Sequence, residues 1–163
     1  GINGREVELL VRDDADDPEA ATRAVRDLHQ AGVEAIIGPN ISSIAAAMQP
    51  VVNELQVVAI SPTASSLVLA GQDDYLFRIN WTTRDNAMIY AQRYLERGVR
   101  RFAVALDANN RVFSQSWLDE FRAPYESGGG EIVASGGPEA VATVERSHTG
   151  RFLAPMLKLR ETA

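Results

Sequence analysis

Apolar positions along this chain change period several times, and each change marks an element. Residues 6–12, "EVELLVR", are rich in Val and Leu and read as a strand. The turn-rich "DDADDP" follows, and from Pro18 the period becomes helical. Ala21, Ala24, Val25, Leu28 and Ala31 fall on one face, with Arg23, Arg26, Asp27 and Gln30 opposite. Asp17 suits the N-cap, Pro18 the first helical position and Gly32 the position after the C-cap.

Residues 33–37 predict a short buried strand. A second helix is expected from near Ser42 towards Leu55, distorted or interrupted by Pro50. Residues 57–60 predict a third strand and "YLFRIN", 75–80, a fourth. An amphipathic helix over 84–98 ends at Gly98. A strand over 100–107, a helix from Ser114 ending near Pro124, and a strand over 131–135 complete the series. Strands alternating with helices of about a dozen residues imply right-handed crossovers. The fold class is therefore α/β, a mainly parallel sheet with flanking helices.

Composition narrows the function classes. Apolar residues make up 45% of the 163, enough for a packed core. The net charge of −6 supplies no cationic footprint for nucleic acid or for a membrane surface. No apolar stretch approaches the roughly 20 residues of a membrane span, so no membrane insertion is expected. Without cysteine there are no disulfides and no thiolate chemistry. "GINGREVELL" lacks a signal-peptide shape and opens on an Asn3-Gly4 turn, as if inside a domain.

Two loops carry the chemistry. "VEAIIGPNISS", 33–43, and "VVAISPTASS", 57–66, each run a strand into small, hydroxyl-bearing residues. Ligands of open α/β sheets bind beyond the carboxyl ends of the strands. Ser42, between a strand and a helix, can offer its hydroxyl and nearby N–H groups to a small anion. Thr63, Ala64 and Ser65 can complete the cradle, and their small side chains admit close approach. The ordinary structural explanation is that such residues are helix caps and turns.

Catalytic groups do not assemble. GxGxxG after the first strand, GxxxxGK[ST] and GxSxG are all missing. The "SGGGE" run precedes a strand rather than a helix. His29 reads as a surface side chain in its helix, and neither it nor His148 has a second His at ligand spacing. Asp13, Asp14, Asp16 and Asp17 lack the glycine and terminal Glu of a calcium loop. Trp81 and Trp117 suit a core or interface. No cofactor, metal or catalytic residue is assigned, and the chain is read as no enzyme.

The ordered motifs GxNGRxVEL, DDxxDP, IIGPxxSS and ISPxAS, then "YLFRIN", "RRFAVALD" and "GGGEIV", resemble the type I periplasmic solute-binding proteins. The nearest branch is the leucine/isoleucine/valine-binding group of ABC transporters, and the likeness covers about residues 1–134. It implies a flavodoxin-like lobe over 1–98 lacking its first strand and helix, then the opening βαβ of a second lobe over 99–134. By position, Ser42 would meet a ligand carboxylate through its hydroxyl and N–H, and Ser65 would share that role. Thr63 would offer its carbonyl to the ammonium, and Ala64 would line the pocket. The implied ligand is a small aliphatic, branched-chain amino acid, the partner an ABC permease, and the compartment the periplasm.

The chain departs from that family where a Tyr-Gly pair is expected after "ALD" and Arg111, Val112 and Phe113 stand instead. The rest of a second lobe, with its acidic residue for the ammonium, does not follow. The segment 129–157, with EIVAxGxPExVA and then SxTGxFL, resembles the C-terminal end of the excision-repair ATPase UvrA. In that likeness His148, Thr149, Gly150 and Phe152 belong to a structural end segment, and 135–163 is a C-terminal extension. Three other readings stay open. The chain could be a silent truncated or chimeric scaffold that self-associates as a homo-oligomer through exposed sheet edges. It could be a flavodoxin-like domain that binds phosphate or a cofactor, although "RDDADDP" would repel an anion. A nucleic-acid repair module has only the tail in its favour.

Overall fold

The computed structural model describes residues 1–161, so the last two positions of the segment expected to be an extension, 135–163, lie outside the described residues. The chain forms two compact units, residues 1–64 with 71–80, and residues 65–70 with 81–163.

In the first unit, α1 (Pro18–Gln30) starts where expected. Asp17 caps it by accepting a bond from the Ala20 N–H at 2.7 Å, and Gly32 follows the C-cap with φ +78°. Strand β1 (Ala35–Ile37) is followed by α2 (Ser42–Leu55), then β2 (Val58–Ser61) and β3 (Leu76–Arg78). The three strands form one parallel sheet with β2 central, Ala35 facing Val58 and Ala59 facing Leu76. Helices α1 and α2 are joined by a two-pronged ion pair, in which Arg26 donates to Glu54 at 2.8 and 3.1 Å. The core is aliphatic: Val25, Ile44, Ala45, Val52 and Ala59 are each at most 1% exposed.

Four expectations need correction here. Residues 6–12 form no strand, and Val7, Leu9 and Val11 are 67%, 76% and 73% exposed. A strand exists only where a neighbouring edge takes its backbone bonds. Among the described residues no backbone bond links 6–12 to another segment, and a cavity of about 730 Å³ separates it from β1. Strand β1 is buried only at Ile36, because that cavity and an unpaired edge flank it; Ile37 is 79% exposed. The strand predicted over 75–80 stops at Arg78, so Asn80 lies in the loop beyond. Helix α2 runs unbroken through Pro50, held by the buried Met48, Val51 and Val52 on either side of it.

The second unit holds α3 (Thr83–Glu96), β4 (Arg101–Ala105), α4 (Arg111–Ser127) and β5 (Glu131–Gly136), followed by α5 (Pro138–Ala142) and α6 (His148–Glu161). A full capping box opens α3: Thr82 accepts from the Asp85 N–H, and Asp85 accepts from the Thr82 N–H. Strands β4 and β5 pair in parallel. Helix α4 begins before Ser114 and continues past Pro124, since its buried face extends from Leu118 through Phe121 to Tyr125.

Those residues anchor an aromatic core. Trp117 stacks on Phe121 at 4.8 Å, Phe121 on Tyr125 at 4.9 Å, and Phe102 meets Tyr94 edge-on at 4.8 Å. Trp81, by contrast, is 66% exposed and joins no core. Helices α5 and α6 pack on each other at Gly150, where a Cβ would lie 2.3 Å from the Val141 carbonyl oxygen. Ser147 caps the start of α6 by accepting from the Gly150 N–H at 2.9 Å.

Candidate functional site

Because β1, β2 and β3 are parallel, their carboxyl ends share one edge, and three loops leave it. The first leaves β1 at Gly38, whose φ of +132° suits glycine alone, and reaches α2 through Pro39 and Asn40. The second leaves β2 at Ser61, and the third leaves β3 at Ile79 and Asn80.

Hydrogen bonds tie the three together. Gly38 N–H donates to the Ile60 carbonyl at 2.9 Å. The fully buried Ser61 hydroxyl donates to the Pro39 carbonyl at 2.6 Å and accepts from the Ala64 N–H at 3.1 Å. Thr63 Oγ1 donates to the Asn40 carbonyl at 2.6 Å. From the third loop, Ile79 N–H donates to the Ser61 carbonyl at 3.3 Å and Asn80 Nδ2 donates to the Thr63 carbonyl at 3.1 Å. Satisfied bonds of this kind hold a rim in one geometry before any ligand arrives.

Ser42 is the first residue of α2, buried at 2% exposure. The N-cap Ile41 gives no side-chain bond, and the first turn contains no acidic residue. The positive end of the α2 dipole therefore has no carboxylate in its own first turn.

Of the four residues singled out from sequence, Ser42, Thr63 and Ala64 belong to the first unit. Ala64 is buried, whereas Thr63 and its neighbours Asn40 and Asn80 are exposed. Ser65 opens the second unit, buried at 4%, with its carbonyl accepting from the Thr83 N–H at 2.7 Å. Nearby in that unit Thr83 Oγ1 and Ser116 Oγ lie 2.7 Å apart, and the Ser66 hydroxyl donates to the Val112 carbonyl at 2.8 Å. Arg111, Val112 and Phe113 form the first turn of α4.

Sequence reasoning missed two members of the rim. Ser61 falls in the loop after the strand predicted over 57–60 and was given no role, and Asn80 was counted inside the fourth strand. The available signal was the rule about strand ends, applied to two loops and not to the third.

Of the charged groups in the first unit, Arg26 and Glu54 join α1 to α2, and Arg78 ends β3 opposite Ser61, at the edge these loops leave. Its hydrogen bonds to Arg26, and then the charge of that guanidinium, hold the Glu54 carboxyl below the usual carboxylate range. Burial lowers the Arg78 pKa, and Asp74 partly offsets this. Among the described residues no cluster of three or more His, Cys, Asp or Glu could hold a metal ion, and no helix is long and apolar enough to cross a membrane. Both histidines are exposed.

The profile of the family described as periplasmic binding protein matches residues 1–143. Among solved structures, the branched-chain amino acid transporter substrate binding protein LivJ from Streptococcus pneumoniae, in complex with isoleucine, is similar at 26% identity. Its TM-score is 0.75, over 84% of this chain and 39% of that one. The solute binding protein of an ABC transporter from R. palustris, in complex with 4-hydroxybenzoate, shares the fold. It is 20% identical with a TM-score of 0.76, covering 100% of this chain and 42% of its own. A different likeness covers a shorter stretch. UvrABC system protein A of Paracoccus denitrificans is 51% identical over 52 residues, 32% of this chain and 47% of that sequence. The Vibrio vulnificus protein of that name is 55% identical over 47 residues, 29% of this chain and 5% of its own length. The matched stretch covers less than half the length of each of these proteins.

Proposed function

This chain belongs to the periplasmic binding protein family, and on that footing we propose that it binds a small aliphatic, branched-chain amino acid without catalysis. The observation that carries the reading is the rim of three strand-end loops, joined by hydrogen bonds beside an α2 N-terminus with no acid in its first turn. Ser42 receives the carboxylate through its hydroxyl and the adjoining N–H groups, where the helix dipole favours negative charge. Thr63 offers its carbonyl to the ammonium, and Ala64 keeps the floor small. Ser65 is assigned a share of the same carboxylate by resemblance. In this reading the chain derives from the first lobe, 1–98, and the opening of the second, 99–134, of the solute-binding component of an ABC transporter. The permease is its partner and the periplasm its compartment, and 135–163 is an appended extension.

Titration calorimetry with leucine, isoleucine, valine and glycine tests the proposal. Saturable heat from the branched ligands, weakened at least tenfold by Ser42→Ala, is the expected result, since bonds to a charged group contribute about 1.5–3 kcal/mol. Absence of heat at millimolar leucine overturns it.

One observation favours a second reading, a truncated or chimeric scaffold that self-associates. Residues 6–12, with Val7, Leu9 and Val11 exposed, have no strand partner and line an open cavity, which is the state of an edge that recruits another chain. Sedimentation at increasing concentration decides this, and a strict monomer rules it out.

A further inference from the structure

Two unpaired stretches of backbone in the first unit flank one cavity. Strand β1 lies at the edge of its sheet and pairs only with β2. Gly38 N–H donates to the Ile60 carbonyl of β2, so alternation along the strand turns the backbone groups of Ile37 away from β2. On the other side, among the described residues, segment 6–12 makes no backbone bond to any other segment. Both stretches line the cavity of about 730 Å³, together with Val25 and Leu28 of α1.

The space has the dimensions of a strand. Neighbouring strands lie about 4.8 Å apart, layers about 10 Å apart, and the chain rises about 3.3 Å per residue, so one strand residue takes about 160 Å³. The cavity therefore holds about four or five such residues. Val25 and Leu28 supply apolar surface, and Ile37, 79% exposed, supplies more at the β1 lip. We propose that this cavity is a strand-complementation site. It binds a short apolar strand of another polypeptide between 6–12 and β1, with a basic residue beside Glu6 and Glu8.

Charge selects the partner. Glu6 and Glu8 line the cavity, and among the described residues neither joins an ion pair. A second copy of this chain would offer its own unpaired 6–12, which repeats the same two glutamates. Like charges on adjacent strands repel, whereas a lysine there is attracted. The proposal does not depend on the amino-acid reading.

The test uses the full chain and a fluorescent peptide carrying VVAIS, residues 57–61, between two lysines. That sequence comes from β2, the one strand of this sheet with a neighbour on each side. A control peptide has proline in place of the alanine, which removes a backbone donor and keeps the apolar character. Anisotropy is expected to show saturable binding, roughly tenfold weaker for the proline peptide. Ile37→Asp, at a side chain exposed in the free protein, should leave the unfolding midpoint unchanged and weaken the peptide by roughly tenfold. Amide hydrogen exchange should slow at Ile37 and within 6–12 when the peptide is bound. Equal affinity for the two peptides overturns the proposal and marks a cavity that takes apolar groups without backbone pairing. Undiminished affinity in Ile37→Asp, or binding without slowed exchange at those residues, also overturns it. So does a chain that binds no peptide, and concentration-dependent dimers in that case name a second copy as the occupant.

Discussion

The two units solve the same packing problem with different success. Segment 6–12 has the Val and Leu content of a strand, yet it pairs with no strand and lies largely exposed beside a cavity. Segment 101–105, which also opens on a charged residue, is a strand because β5 lies alongside it and takes its backbone bonds. The difference is a neighbour, since a strand is a relation between two edges and not a property of one. The cores differ in the same sense. The first unit closes over small aliphatic side chains and leaves an open seam, whereas the second is filled by interlocking rings from α3, β4 and α4.

The contrast is broken most severely at Phe121, which is 2% exposed and touches Phe102, Trp117, Tyr94 and Tyr125. Phe121→Ala should destabilise the second unit by about 3–5 kcal/mol, as for other deletions of a buried ring. Urea unfolding followed by the fluorescence of the stacked Trp117 would report it. Gly130→Ala comes next. An added Cβ would lie 2.3 Å from the Tyr125 ring, which is fully buried and whose hydroxyl donates to the Val99 carbonyl at 3.1 Å. With the ring unable to retreat, a loss of about 1–3 kcal/mol is expected on the same curve. Burial raises the Tyr125 pKa, so its contribution is complete below the usual tyrosine range and lost as pH rises through the elevated value.

A smaller effect probes how α3 begins. Thr82→Ala removes one half of the capping box and should lower stability by about 1 kcal/mol by thermal unfolding. The Thr82 hydroxyl, first among the causes, holds the Asp85 carboxyl below its usual range. A depressed carboxylate contributes stability above its unfolded pKa and loses it as pH falls through the folded one. Thermal midpoints between neutral and acid pH should therefore fall less steeply in Thr82→Ala than in the unmodified protein. Equal slopes would remove Asp85 from the acid response.

Much of the architecture was legible where local signals suffice. Asp17, Pro18 and Gly32 mark both ends of α1, and Ser42 and Leu55 bound α2 as the pattern predicts. Non-local facts were not legible. Nothing within "EVELLVR" says whether an edge will lie beside it, and nothing within "APYES" says that Phe121 and Tyr125 will hold α4 helical past Pro124. The site divides in the same way. Ser42 and Thr63 stood out because apolar runs end in hydroxyls, and their loops do meet through the Thr63–Asn40 bond. Asn80 was hidden because where β3 ends depends on its pairing with β2, which stops at Ser61 opposite Arg78.

The smallest predicted effect sharpens the comparison most. Leu9 is 76% exposed within the unpaired segment. Leu9→Ser should change the stability of the monomer by less than about 0.5 kcal/mol, as for a surface position, despite replacing a large apolar residue. The same change at a paired, buried strand position would cost several times more, so a near-zero result in dilute solution identifies 6–12 as a segment without a partner. Repeating the measurement at high protein concentration separates the two functional readings. If copies recruit one another through this edge, the unmodified protein gains stability with concentration while Leu9→Ser gains less, because association couples to folding by mass action. If the chain is a monomeric binding protein, the two curves stay superimposed at every concentration.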